Sequence, residues 1–242
     1  MTDAPMGSVA NDDPRRRLAA ALRPIITMTV AASFADEVMT AAAERLEEFG
    51  RTLEEEAGPK LARRLPDISQ GVQEIFPTSP IMGLANPIAP PVVVHVVDGV
   101  DGGFPEIRAD AWFDWAYEGP PKCVHGGVIA ETFDEMLGAA IMVAGNPGMT
   151  GTLTIRYRKP TPLRTPLRIE ARCLDRNGRK IRTWGGIYHG DQLTAEAEGL
   201  FIEVKPTQFP AIAEGDLDNA DPSVLDAVRA GAAPDPPEPS LA

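Results

Sequence analysis

The residues of this 242-residue chain best suited to chemistry are the tripeptide His125-Gly126-Gly127 and the carboxylate of Asp134. The tripeptide falls where a strand pattern gives way to a helical one, so its backbone N–H groups are among the unpaired donors of a helix N-terminus. Donors placed there can hold an anion or an oxyanion developing on a carbonyl. Glycine at 126 and 127 lets such a carbonyl approach, because no Cβ stands in the way. By itself the tripeptide fits a purely conformational turn equally well, and Asp134 is what shifts the balance. On a helix starting near Gly127, Asp134 shares a face with Gly127, Ala130, Glu131, Gly138 and Ile141. A carboxylate in that small-residue stripe, on a helix otherwise filled by Val128, Ile129, Phe133, Met136 and Leu137, reads as more than a solvated surface charge and makes Asp134 a candidate for chemistry. The structural alternative is a buried acid satisfied by a strand residue. Glu131, one turn earlier, and Glu135, about 100° around the helix, remain rival acids.

Spacing adds a constraint. Eight residues separate Gly126 from Asp134, about 12 Å along a helix at ~1.5 Å per residue. An oxyanion donor and a base serving one carbonyl carbon must each sit within roughly 3 Å of their targets. One copy of the helix cannot meet both demands. A site using both residues therefore joins the helix N-terminus of one subunit to Asp134 of another, and a two-fold dimer, alone or as a dimer of dimers, would form two such sites.

The elements around this pair predict an α+β fold. Residues 1–14 read as disordered, and 15–64 as a helical hairpin built from Arg15 to Ala32 and Phe34 to about Ala57. Ser33 with Asp36 forms a candidate capping box. The stripe Phe34, Val38, Ala42, Leu46, Phe49 and Leu53 must pack against something, and the favoured expectation is the main domain. Residues 65–91, rich in proline, read as an extended strap. The main domain spans 92–205. Strands are expected over Val92 to Val97, Ile107 to Tyr117, Thr150 to Arg158, Leu167 to Leu174, Lys180 to Tyr188 and Leu193 to Val204, with the one long helix from about Gly127 to Ala144. Asp175-Arg176-Asn177-Gly178 and His189-Gly190-Asp191 mark hairpins, so the sheet is mostly antiparallel, curving around the central helix. Residues 206–242 form an acidic, proline-rich tail expected to be mobile, with at best a short helix near Ser223 to Arg229.

Composition removes several function classes. A net charge of −12 argues against general nucleic-acid binding. No apolar stretch approaches the ~20 residues of a membrane helix, and Arg23 and Pro24 interrupt the apolar run after Arg15-Arg16-Arg17 that would otherwise suggest a signal peptide. Cys123 and Cys173 lack metal or redox spacing, and His95, His125 and His189 are scattered. Reduced thiols, a cytoplasmic setting, no metal and no cofactor are expected. The charge is uneven: Arg156 to Arg182 holds ten Lys or Arg against two acids, whereas the chain after Lys205 holds seven acids against one base.

The stretch Glu118-Gly119-Pro120-Pro121 through His125-Gly126-Gly127, then Asp134, Met149-Thr150 and Leu153-Thr154-Ile155-Arg156-Tyr157-Arg158-Lys159-Pro160, resembles the hotdog-fold acyl-CoA thioesterases of the phenylacetate-type and thioesterase-superfamily-member group. It is closest in pattern to the branch that includes the eukaryotic mitochondrial long-chain enzymes. The resemblance runs from about Pro91 to Val204. The helical hairpin is similar to one in bacterial members, and the tail has no counterpart.

The resemblance implies a hotdog fold, a base or nucleophile at Asp134, an oxyanion-holding amide at Gly126 and a hydroxyl at Thr150 that orients the attacking water. Many phenylacetate-branch members have Asn where this chain has Gly119, a departure that speaks against a side-chain amide positioning the thioester and favours the other branch. The substrate so implied is an acyl thioester of coenzyme A or of acyl carrier protein. Gly127 is a second candidate donor, and His125 chiefly shapes the turn, with possible substrate contact. Arg156, Arg158, Lys159 and Arg164 are candidates for binding coenzyme A phosphates, or equally are solvent-facing strand residues. Two rivals stay open: a hotdog hydratase acting on enoyl thioesters, which wants a His paired with an acid, and a catalytically silent thioester- or partner-binding module.

Overall fold

The computed structural model describes residues 13–58 and 72–204. The expectations for residues 1–12, for 59–71 in the end of the hairpin and the start of the strap, and for the tail from 205 onward lie outside the described residues.

Six strands form one sheet: β1 (Val92–Val97), β2 (Glu106–Ala111), β3 (Gly148–Tyr157), β4 (Leu167–Asn177), β5 (Lys180–His189) and β6 (Gln192–Glu203), in the order β1-β2-β4-β5-β6-β3. Every neighbouring pair is antiparallel. The two hairpin turns fall where expected, with Gly178 and Gly190 at φ of 60° and 58°, a left-handed conformation that glycine adopts without strain.

The second strand ends earlier than its alternation suggests. Ala111 is its last residue, and Asp114 accepts a hydrogen bond from the Trp115 N–H at 2.8 Å, starting a one-turn 3-10 helix over Trp115–Tyr117. Ala111 faces Val92 and Leu167, the first residues of β1 and β4, and the prolines before them, Pro91 and Pro166, have no N–H to carry the ladder further.

The long helix α4 (Gly126–Val143) lies across the sheet, touching β2 to β6. Its seat is a row of small residues. Ala171, Gly185 and Ala197 are direct cross-strand neighbours on β4, β5 and β6. A Cβ on Gly185 would stand 3.2 Å from Leu137 and 3.4 Å from Phe133, so the helix's large side chains occupy the room those small residues leave. Phe133, Met136, Leu137, Ala140 and Ile141 are fully buried against Ile107, Ile169, Ile181, Ile187 and Phe201. At roughly 1.5–3 kcal/mol for each large apolar side chain buried, this seam supplies most of what fixes α4 on the sheet.

The N-terminal helices behave unequally. Helix α1 (Pro14–Ala31) starts one residue before the expected Arg15, with Asp13 accepting from the Arg15 N–H at 2.8 Å. It docks on the body through Arg23, whose guanidinium donates to the carbonyls of Ala89, Leu84 and Asn86, each at 3.0 Å.

Helix α2 (Asp36–Glu55) departs from expectation twice. Its N-cap is Ala35, with no side-chain cap, so Ser33 and Asp36 do not form a capping box: the helix begins too late for Ser33 to reach it. It also has no buried residue, so its apolar stripe does not pack on the main domain. Its Ala-, Leu- and Glu-rich composition accounts for helicity without packing.

The described part of the strap, residues 72–91, is turns rather than extended chain. After a one-turn helix α3 (Val72–Ile75), turns buried at Ser79, Ile81, Met82, Ala85 and Ala89 lead into β1. Gln73 ties them to the sheet, donating to the carbonyls of Met82 at 3.0 Å and Val92 at 2.8 Å and accepting from Val94 N–H at 3.0 Å.

Candidate active site

Helix α4 begins at Gly126, with His125 as its N-cap in an extended conformation. The Nδ1 of His125 accepts from the Gly127 N–H at 3.0 Å, and its backbone N–H donates to Tyr117 O at 2.9 Å. The cap thus uses the Gly127 amide and leaves the Gly126 N–H without an acceptor among the described residues. Of the two glycine amides considered from sequence, only Gly126 stays free to receive an anion.

Gly119 lies against the same cap. A Cβ there would stand 2.7 Å from the Cα of His125 and 3.0 Å from its Cδ2. No side chain fits at 119 unless His125 moves, which is a steric reason for glycine where an amide side chain would otherwise be expected.

Asp134 lies on α4 two turns beyond the cap. The Thr150 hydroxyl, from β3, donates to its Oδ1 at 2.6 Å, joining two residues that sequence alone could only name side by side. The pair is not in the core: Asp134 is exposed and Thr150 half-buried in the single chain. Of the purely structural reading of Asp134, a buried acid satisfied by a strand residue, the strand partner is present in Thr150 and the burial is absent in the single chain. Of the rivals, Glu131 is exposed, while Glu135 turns toward the strap, where burial pushes its carboxyl up and the Ser79 hydroxyl partly offsets that.

Strand β3 carries a bulge between Thr150 and Thr152. The extra residue brings Thr150 onto the same face as Leu153, Ile155 and Tyr157, the face that meets α4. At the far end of that face, the Tyr157 hydroxyl donates to Gly126 O at 2.9 Å. Sequence reading did not single out Tyr157. Alternation from Ile155 could have placed it toward the helix, but its position against Gly126 depends on how β3 is seated along α4, which the sequence pattern does not give.

The four candidate cations are mostly engaged. Arg156 pairs with Glu198 at 2.8 Å and Glu196 at 3.7 Å, and Arg158 pairs with Glu196. Arg164 lies 3.3 Å from Asp114 and stacks over Trp115 at 5.2 Å. Lys159 is exposed and has no carboxylate partner among the described residues. Further along the same outer face, Arg168 and Arg172 lie over Tyr188 and Trp184, and Arg182 pairs with Asp175. The basic stretch is thus largely a lattice of cross-strand ion pairs and cation–π contacts.

Among the described residues, no group of three or more His, Cys, Asp or Glu could hold a metal ion, and no helix is long and apolar enough to cross a membrane.

An antiparallel sheet wrapped on one long helix, with a free amide at the helix start and an acid two turns on, defines a hotdog-fold protein. Known proteins agree. The family model described as the thioesterase superfamily matches residues 122–197. The acyl-coenzyme A thioesterases THEM4 of Xenopus laevis and Mus musculus are 37% and 35% identical over 91 residues, 37% of this chain. This chain spans only 41% and 39% of those two relatives. A solved thioesterase superfamily protein is 35% identical with a TM-score of 0.69, over 79% of this chain and 96% of that one. The chain belongs to the thioesterase superfamily.

Proposed function

We propose that this protein hydrolyses an acyl thioester, with acyl-CoA as the substrate class, at a site shared between two copies of the chain. The observation that carries the reading is the 2.6 Å hydrogen bond from the Thr150 hydroxyl to Asp134. It fixes one carboxylate oxygen and leaves Oδ2 to take a proton from water attacking the thioester carbonyl. The Gly126 N–H stabilises the resulting tetrahedral oxyanion. The thiolate of the carrier leaves as the carbonyl reforms, and the free acid carries the water oxygen. The THEM4 relatives, named as acyl-coenzyme A thioesterases, support coenzyme A as the carrier.

Helix α4 is unbroken from Gly126 to Val143, so the separation of about 12 Å between the two groups stands. Strand β3, which holds Thr150, lies at the end of the sheet and, among the described residues, has an unpaired edge beside exposed Asp134. A second copy seated along that edge would cover Asp134 and bring its own Gly126 amide to it. Lys159, on the residue after Tyr157 and its successor Arg158, is the best-placed free cation for a coenzyme A phosphate. His125, engaged as a cap, is poorly suited to the acid–base role a hydratase would ask of it.

The test is thiol release from a panel of acyl-CoAs by wild type and Asp134→Asn. Wild type should release thiol, and the variant should lose about 10²-fold or more of kcat with folding intact. Thioester binding without release by wild type would mark a binding module. Release unaffected by the substitution would transfer the role to Glu131.

A further inference from the structure

The dipeptide Gly126-Gly127 is the least constrained pair a chain can place at a reacting centre, because neither residue has a Cβ to restrict φ and ψ. An amide that stabilises an oxyanion must nonetheless be aimed in advance, since reorganisation during the reaction forfeits much of its effect. In this chain the peptide unit joining the two glycines is held at both ends. Its N–H, on Gly127, donates to His125 Nδ1 at 3.0 Å. Its C=O, on Gly126, accepts from the Tyr157 hydroxyl at 2.9 Å. The Tyr157 ring also closes the flank of Gly126: a Cβ built there would stand 3.5 Å from the hydroxyl oxygen and 3.6 Å from Cε1 and Cζ.

We propose that Tyr157 is a positioning residue for the reaction, clamping the Gly126–Gly127 peptide from β3 so that the neighbouring Gly126 N–H keeps a fixed aim. The inference rests on the thioesterase reading above. Fixing the plane of the 126–127 peptide sets ψ at Gly126 and φ at Gly127, and the first helical turn then determines the direction of the Gly126 N–H. The His125 cap and the first turn of α4 hold this peptide only from within the helix, at an end built on two glycines and prone to fray. Tyr157 adds the point of attachment from another element. The same strand holds Asp134 through Thr150, so β3 steadies both the amide and the carboxylate. Tyr157 is 56% exposed in the single chain, so burial does not explain the contact.

The experiment compares full-length wild type, Tyr157→Phe and Tyr157→Ala by acyl-CoA hydrolysis, thermal unfolding and amide hydrogen exchange at Gly126 and Gly127. Tyr157→Phe keeps the ring and loses only the hydroxyl. It should lower kcat by about tenfold, the scale of one well-placed hydrogen bond, with KM within about twofold and the unfolding midpoint unchanged. Exchange at Gly127 should speed up. Tyr157→Ala should lose more of kcat, since the flank of Gly126 also opens. Wild-type kcat in Tyr157→Phe would overturn the proposal. So would a raised KM at unchanged kcat, which marks a substrate contact, or a loss that tracks a falling midpoint, which marks plain stability. Unchanged Gly127 exchange refutes the clamp whatever the activity. A wild type that releases no thiol, with Gly127 exchange still accelerated by Tyr157→Phe, overturns the thioesterase reading and the catalytic consequence while leaving the geometry in place.

Discussion

At the residue scale, His125 acts through one ring nitrogen. Nδ1 caps α4 by accepting from Gly127 N–H, a position for which Asn, Asp and Ser are the usual choices. His125→Ala should therefore lower unfolding stability by about 1 kcal/mol, read as a shift of the urea midpoint, and His125→Asn should recover most of it. If capping is the whole contribution of the imidazole, His125→Asn also keeps thioester hydrolysis. An Asn variant as unstable as the Ala variant would instead give the weight to packing of the ring against Gly119. The sequence points to the tripeptide and Asp134 as candidates because both chemistry and helical period are local properties. It leaves Gly127 as a second candidate donor beside Gly126 because the direction of the His125 ring is not local, and that ring engages the Gly127 N–H.

At the scale of elements, alternation and the two glycine turns made five of the strands legible to within a few residues. The second strand reads too long from alternation alone because its end is set by where its neighbours begin, at Val92 after Pro91 and at Leu167 after Pro166, which no pattern within the strand registers. The apolar stripe of α2 was read correctly as a stripe but not as to what covers it, since periodicity gives a face and not its neighbour.

Between α4 and the strap, Glu135 supplies a pH test. Burial, with the nearby charges of Asp134 and Glu131, pushes its carboxyl above the usual range, and the Ser79 hydroxyl pulls the other way. The native state therefore binds this proton more tightly than the unfolded chain, so ionising Glu135 costs stability as pH rises through its native value. Glu135→Gln should melt higher than wild type at about pH 8, and the advantage should shrink toward about pH 3, below the ordinary glutamate range, where the carboxyl is protonated in both states. An advantage that is independent of pH, or larger in acid, would show that ionisation of Glu135 is not the cause.

At the scale of the whole molecule, the proposed shared site has a consequence that neither half-site has alone. Gly126→Pro removes the oxyanion donor while respecting the backbone. Proline suits the first position of a helix, where the N–H has no intrahelical partner, and His125 at φ −60° and ψ 135° already has the extended geometry a following proline requires. Asp134→Asn removes the base and leaves the amide. Each homodimer is then inactive, because each of its sites lacks one group. In a heterodimer the defects segregate: one site receives both lesions, and the other combines the intact Gly126 of one subunit with the intact Asp134 of its partner. Free exchange in an equal mixture makes half the dimers heterodimers with one working site of two, so activity should return to about a quarter of wild type. A site contained within one subunit gives no recovery, because every subunit in the mixture still lacks one group. Subunit exchange proven by mass spectrometry with no return of thiol release would therefore place Gly126 and Asp134 of one subunit in the same site and overturn the shared site.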